Sequence, residues 1–428
     1  MILAAAAAGG GEWSMHGWAL ATAAVTAAAC SLVGTLLVVR RMSLLGDALA
    51  HAVLPGIVIA ALAGGRPGGP LVFAGALAAA LVTVGLTRLL RAAGGVAEDA
   101  GAGVVFTTMF ALGVALVTAA GRGVHIDTAC ILSGDLTFVP FDTIAVAGRE
   151  LPRAFVAGGL VLALLVAAAV TTWKLQVFVG FDPEAARAAG LPVAAVTAGL
   201  LAATSLATVA GFQAMGAILV VALLVVPAAA AELLVRRLHQ VAILAALLAV
   251  VGVGLGYLVA WRWSVNEAGA IAVVLGLEYL AAALLAPDDG VVARAAAAAR
   301  FHWRVACEDV LAGLWRGEES GAGAALPPTP AGRLAALALR AAGDVERAAT
   351  GWRLTPRGRR AAEMVVRSHR LWEAWLGRHV ALPRDHLHPP AEWVEHHLGA
   401  AVRRRIEAEL GVTGRSDPHG SEIPPEAV

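Results

Sequence analysis

Lysine is nearly missing from this sequence of 428 residues: Lys174, in the stretch TTWKLQ, is the only one. A Walker A loop ends in Gly-Lys-Ser/Thr and needs that lysine on the nucleotide phosphates. The chain therefore has no P-loop ATPase of its own. Cysteine is scarce as well. Cys30, Cys130 and Cys307 are odd in number and far apart, with no C-x-x-C pair, which excludes a disulfide framework and a zinc ribbon. Charge is low at 15%, with a formal net value of +1, so nothing in the overall balance draws the chain to nucleic acid or acidic partners. Neither Gly-x-Ser-x-Gly nor His-Glu-x-x-His occurs, which removes the usual signatures of a hydrolase.

What is present is apolar. Hydrophobic residues make up 59% and mean hydropathy is +0.76, well outside the soluble range. The distribution is uneven. Up to about residue 286 the chain is a succession of Ala/Leu/Val/Gly runs, whereas residues 287–428 are dense in Arg, Asp, Glu and His and hold eight of the twelve histidines. Two regimes of solvent imply a membrane body and a soluble tail long enough for one small core.

About twenty apolar residues cross a hydrocarbon layer roughly 30 Å thick. On that basis spans are expected near 18–39, 44–63, 71–90, 101–120, 154–172, 193–210, 214–231, 241–260 and 268–286. Met1–Ala8 lacks a basic leader and runs into Gly9, Gly10 and Gly11, so no cleavable signal peptide is expected. Arg40, Arg41, Arg88, Arg91, Arg187, Arg236 and Arg237 fall on one side under this count, with the tail, which makes that side cytoplasmic. The polar stretch 123–153 is expected at the outer surface or re-entrant, with His125 and Asp127 read as solvated.

The stretch SLLGDALAHAVLPG is the anomaly, because it puts Asp47 and His51 four residues apart inside an expected span. Counting about 1.5 Å per residue from Arg41, His51 lies about 15 Å deep, near the midplane, with Asp47 one turn shallower on the same face. A charge there costs about 2.5–3.5 kcal/mol, so both should face protein or a water-filled path. Two readings fit: a structural Asp/His pair joining helices, or a transient site for a first-row divalent cation. Pro55 and Gly56, one turn on, either loosen the helix to release carbonyl ligands or only permit a kink.

Five stretches in order carry a family resemblance: RRMSLLGDALAHAVLPG, EDAGAGVVFTTMFALGV from Glu98, HIDTACILSGDL from His125, FDPEAARAAGLP from Phe181 and GFQAMGAILVVALLVVPAAAA from Gly211. Together they resemble the manganese/zinc/iron class of ABC transporter permeases. The resemblance implies a paired membrane pore, a homodimer or two permeases. It implies as partners a separate cytoplasmic ATPase and an extracytoplasmic metal-binding solute protein. It also implies that Asp47 and His51 meet the metal in the translocation path. In the FDPEAARAAGLP segment, Asp182 and Pro183 read as a helix start, with Glu184 and Arg187 inside and Gly190 and Pro192 at its end. By resemblance, Phe181, Asp182, Pro183, Glu184, Arg187 and Gly190 belong to the segment that docks into the ATPase.

The tail carries a second constellation. His369 and Glu373 are i and i+4 on one expected helix; Glu392, Glu395 and His396 are i, i+3 and i+4 on a later one, just after His388. Such faces, brought together, offer an O/N site suited to Mn or Fe(II), or less selectively Zn, while each pair alone also reads as an ordinary polar helix surface. LTPRGRRAA, VVRSHRLWEAWL and LHPPAEWVEHHL, within about 354–410, resemble the metal-binding and dimerisation domain of the iron/manganese-dependent, diphtheria-toxin-repressor type of regulators. The resemblance implies that His369, Glu392, Glu395 and His396 are ligands, with Glu373 and His388 in a second or ancillary site. Glu392 stands where iron-responsive members carry cysteine and manganese-responsive ones glutamate, which favours manganese. Asp309 matches one acidic position of the family's first helix, but Ala312 stands at the other. Too little chain lies between Trp315 and Leu334 for the first helix of a helix-turn-helix pair, so DNA binding is not expected.

The expectation is an all-α, polytopic bundle of about eight to nine membrane helices followed by a small, mostly helical soluble domain. Its parts are a permease domain over 1–290, a linker and winged-helix remnant over 291–330, the repressor-like domain over 331–414 and a disordered tail over 415–428. The expected function is the non-ATPase permease subunit of a divalent-metal importer in a bacterial cytoplasmic membrane, with divalent metal (manganese favoured, zinc or iron open) both as substrate and as ligand of a cytoplasmic sensor. The alternative is a membrane-tethered, metal-dependent transcriptional regulator.

Overall fold

A computed structural model describes residues 12–65, 69–94, 98–120, 136–146, 148–321, 329–348, 351–380, 394–411 and 416–425. The chain divides into two compact units, Met1–Ala293 and Arg294–Val428.

Among the described residues, the first unit is helical apart from its connecting turns, a 3-10 turn, Leu136–Phe141, and one short antiparallel hairpin, β1 (Thr143–Val146) with β2 (Arg149–Pro152). Its helices are α1 (Glu12–Val39), α2 (Ser43–Ala52), α3 (Leu54–Leu62), α4 (Pro70–Gly94), α5 (Glu98–Ala120), α6 (Arg153–Phe181), the short α7 (Pro183–Ala188), α8 (Val193–Leu234), α9 (Leu238–Trp263) and α10 (Glu267–Leu285). Among the described residues eight helical segments are long and apolar enough to cross a membrane. The expected span 44–63 is not one of them. It folds as α2 and α3, broken at Val53, because Pro55 brings no N–H to the helical ladder and its ring crowds the preceding turn. The expected spans 193–210 and 214–231 are present as two membrane-length segments, Val193–Phe212 and Ala214–Leu234, that meet within α8 at a sharp break where Gly216 takes φ 75° and ψ 169°, a conformation that only glycine adopts without strain. The polar stretch expected over 123–153 is described from residue 136 onward; His125 and Asp127 lie outside the described residues.

Helix α1 runs through the centre, packed against α6, α8 and α9, and α2 packs on α5 and α8. The α1–α8 crossing is a backbone contact: a Cβ at Gly34 would lie 1.8 Å from the carbonyl oxygen of Leu224. Small residues at such crossings let helices gain dispersion contacts where lipid supplies no hydrophobic force between them. Outward-facing Leu160, Leu164 and Val170 are exposed, as a lipid-facing surface requires.

In the second unit, α11 (Val291–Ser320) is followed by α12 (Pro330–Ala341), the hairpin β3 (Val345–Ala348) and β4 (Gly351–Leu354), α13 (Pro356–His379), a 3-10 turn Glu395–His397 and α14 (Ala400–Leu410). The linker expected from residue 291 is helical, the first third of α11: VVARAAAAAR contains strong helix formers and no glycine or proline to stop it. One core joins Val310, Leu311 and Leu314 of α11 to Ala335, Ala336 and Leu339 of α12, Val345, Leu354 and Ala362. Thr329 and Thr355 cap α12 and α13, each accepting from a backbone N–H three residues on, with Pro330 and Pro356 in the first turn. Residues 416–425, expected to be part of a disordered tail, fold back onto α13. Ile423 enters the core with Leu371, Arg370 donates to the Glu422 carbonyl, and the Asp417 carboxylate accepts from the backbone of His419 and Ser421.

Because the Gly34 crossing is backbone against backbone, Gly34→Ala cannot be accommodated by a rotamer change. It should lower the midpoint of thermal unfolding in detergent, with a cost of about 1–3 kcal/mol or more. Gly199→Ala, where an added Cβ meets nothing within 4 Å, serves as the neutral control. Equal midpoints for the two variants would remove the crossing from the stability of the bundle.

Candidate metal centres

In the first unit, α2 presents His51 one turn after Asp47. The side chain of Asp47 lies outside the described residues. The His51 ring is half-buried and meets two aromatic rings of α5 edge to face, Phe106 and Phe110, each with its centroid 5.8 Å away. Phe106 and Phe110 are i and i+4, so one face of α5 grips the imidazole from both sides. Below it, Ala52 packs with Ala79, Val105 and Met109. At the start of α2, Gly46 faces Leu37 of α1 and Leu224 of α8, which fixes this helix against the central crossing. The result is an imidazole inside an apolar bundle, on a helix pinned at one end and broken at Val53 just beyond.

The FDPEAARAAGLP segment folds as read from its residues. Asp182 accepts from the Ala185 N–H at 2.8 Å, Glu184 lies in the first turn of α7, Arg187 in the last, and Gly190 takes φ 78°. Phe181 stands 68% exposed at the end of α6, a large ring left on the surface beside this helix.

In the second unit the carboxylates and imidazoles do converge. His369 and Glu373 share one buried face of α13, 3% and 2% exposed. The His369 ring lies between two carboxylates, with Nδ1 2.5 Å from Glu395 Oε2 and Nε2 3.1 Å from Glu373 Oε1. Burial pulls its pKa down, but the hydrogen bonds and charges of Glu373 and Glu395 outweigh that and hold it above the usual histidine value. Glu395 turns its other oxygen, Oε1, toward His396 Nε2 at 3.5 Å, and Asp309 Oδ1 of α11 reaches the same nitrogen at 3.3 Å. Ligand atoms of Asp309, Glu395 and His396 all lie within 4.8 Å of one another. Desolvation lowers the His396 pKa, yet hydrogen bonds to Asp309 and Glu308 and the charges of Glu395 and Asp309 raise it to about 9.

Thus His369, Glu373, Asp309, Glu395 and His396 come together from three elements as one chain of carboxylates and imidazoles running through Glu395, in which Asp309, Glu395 and His396 have ligand atoms close enough together to hold a metal. Oxygen and imidazole donors of this kind suit Mn, Fe(II) or Zn. Of the expected second helix, residues 381–393 lie outside the described residues; Val394 is α-helical and is followed by a 3-10 turn, Glu395–His397, ended by the extended backbone of Leu398 (φ −73°, ψ 98°). His388 and Glu392 lie outside the described residues. Ala312 is buried and brings no ligand. The sequence reading missed Glu308, whose Oε2 lies 2.6 Å from His396 Nδ1; its place directly before Asp309, one turn after Arg304, was the available signal. It also missed Arg316, whose guanidinium lies 3.9 Å from Glu395 Oε2. Between α11 and the β3–β4 hairpin one helix, α12, stands among the described residues, where a helix-turn-helix needs two.

Residues 13–286 match the ABC 3 transport family, and residues 355–425 match the iron dependent repressor, metal binding and dimerisation domain. The manganese transport system membrane protein MntD of Bacillus subtilis is 41% identical over 282 residues, 66% of this chain and 95% of that protein. The manganese transport system membrane protein MntC of the same organism is 27% identical over 418 residues, 93% of this chain and 92% of that protein, so the match runs through both units. Other relatives bear the names of zinc and chelated-iron transport systems. Among solved structures, PsaBC from Streptococcus pneumoniae in complex with Fab superposes with a TM-score of 0.55 at 26% identity, over 64% of this chain and 92% of that one. Taken with the eight apolar helices of the first unit and the carboxylate and imidazole cluster of the second, these matches show that the chain belongs to the ABC 3 transport family, with a repressor-type metal-binding and dimerisation domain at its C-terminal end.

Proposed function

We propose that this chain is the membrane permease subunit of an ABC importer for a divalent first-row metal, manganese before zinc or iron, with a cytoplasmic domain that senses the same metal. The observation that carries the transport reading is His51, held by Phe106 and Phe110 inside an apolar bundle one turn from Asp47. A neutral imidazole with a carboxylate offers a nitrogen and oxygens to a passing Mn2+, and the break at Val53 ends the helix just past the donors. A polar pair at this depth is costly unless it serves a path, which favours the cation site over a structural tie. The ATPase and the extracytoplasmic solute protein are separate partners in this reading, and α7 is the element that docks on the ATPase. A second permease subunit, identical or related, completes the pore.

Manganese is favoured by the names of MntD and MntC and by Glu392 in the sensor. For the tail, the group of Asp309, Glu395 and His396 supports a metal sensor, and the presence of one helix, α12, between α11 and the β3–β4 hairpin among the described residues supports loss of DNA reading. Metal that binds one arrangement of two paired tails more tightly than another would shift the permease toward that arrangement, which is the thermodynamic requirement for feedback.

Uptake of radioactive manganese tests the path. His51→Ala and Asp47→Asn should each cut uptake at least about tenfold, the loss expected when one ligand worth about 1.4 kcal/mol or more is removed, with membrane level and ATPase binding unchanged. Wild-type rates in both would remove these residues from the path.

The sensor is tested separately in vesicles loaded with low or high internal Mn. Wild type should change its transport rate between the two conditions, and Glu395→Gln/His396→Ala should not. Identical responses in both proteins would leave the tail as a dimerisation module alone.

A further inference from the structure

The metal pocket on His396 needs a particular lone pair. Asp309 Oδ1 and Glu395 Oε1 both approach Nε2, at 3.3 and 3.5 Å, so a cation held by these three groups would be met by Nε2. An imidazole can offer Nε2 as a ligand only if its proton sits on Nδ1 and its ring plane points the right way. Two features of α11 set both. Glu308 Oε2 lies 2.6 Å from Nδ1, and an ionised carboxylate only accepts, so the proton on that side of the ring stays on Nδ1. Arg304, one turn earlier, donates to the His396 carbonyl oxygen at 3.3 Å and lies with Nε 3.9 Å from Glu308 Oε1, which ties backbone and carboxylate into one frame. His396 itself is 6% exposed, so little else can reorient the ring.

We propose that Glu308 is a positioning residue of the sensor. When a metal displaces the Nε2 proton, Glu308 keeps the remaining proton of His396 on Nδ1, with Nε2 aimed between Asp309 and Glu395, and raises the basicity of that nitrogen without touching the metal. Adjacent residues of α11 thereby divide the work: Asp309 supplies an oxygen to the metal and Glu308 orients the opposite partner. The frame lies on the helix where Ala312 brings no carboxylate, so the pocket depends more heavily on the exact direction of its one well-buried imidazole. This inference rests on the sensor reading above.

The test uses the full-length protein in detergent, titrated with Co2+ as the probe. Affinity and the visible ligand-field absorption are read for wild type, His396→Ala, Glu308→Ala and Glu308→Gln. Glutamine keeps an acceptor for Nδ1–H but gives up the charge. Glu308→Ala should weaken Co2+ binding about 10- to 100-fold and change the absorption envelope, as loss of an outer partner of a metal-bound histidine does. Glu308→Gln should recover most of the affinity and the wild-type envelope. Equal losses in Ala and Gln would make Glu308 a direct ligand or a bulk charge and overturn the positioning role, as would wild-type binding in Glu308→Ala alongside a loss in His396→Ala. If His396→Ala itself leaves Co2+ binding unchanged, the sensor reading fails, and the role of Glu308 with it.

Discussion

In the first unit no water is at hand to take up a stray hydrogen bond, and the arrangement of its helices follows from that constraint. Backbone groups are satisfied inside helices, as hydrocarbon demands. Buried hydroxyls obey the same rule. Thr22, Thr26 and Thr35 of α1, and Thr204, Ser205 and Thr208 of α8, each donate to a carbonyl one turn back in their own helix. Side chains satisfied within their own helix leave the α1–α8 contact mainly to shape, with one weak hydrogen bond from the Cys30 thiol to the Ala207 carbonyl, and the Gly34 crossing is the outcome. His51 is positioned differently, across the helix gap: its ring stands edge to face with those of Phe106 and Phe110 on α5, which orient the imidazole.

The second unit meets the same difficulty with charge instead of hydrogen bonds. Glu373 and Glu395 are almost wholly buried, and burying a carboxylate costs far more than a hydroxyl unless it is paired. His369 between them hydrogen-bonds both, and Arg316 beside Glu395 supplies positive charge. A divalent cation entering the neighbouring pocket would share Glu395 with that arrangement. Metal and internal cations therefore act on the same carboxylate, which gives a binding event here a route to side chains on α11 and α13 alike.

Much of the candidate chemistry was legible because it follows helical spacing. Asp47 with His51 and His369 with Glu373 are i, i+4 pairs, and a polar pair at that interval declares a shared face whatever lies opposite. The start of α7 at Asp182 and Pro183 was legible for an equally local reason, since a cap needs only its own turn. Glu308 was not, because an acidic residue one position from Asp309 points some 100° away around the helix and reads as solvated until the turn holding His396 is brought against it. The folded-back segment 416–425 was also hidden: its composition is that of a loose end, and it is held by Arg367 and Arg370 from a helix far earlier in the chain.

By itself, the sequence determined that this is a membrane chain with a polar C-terminal domain and no nucleotide loop of its own, and it marked Pro55 as a point of helix disturbance and Asp182 with Pro183 as a helix start. These are properties of residue type and short spacing, and they hold in any fold. Only the tertiary structure decided that Gly34 meets a backbone instead of a side chain, that two phenylalanines frame His51, and that Glu395 is shared between two histidines. Each of those depends on distances between elements far apart in the chain, which no local pattern of residues encodes.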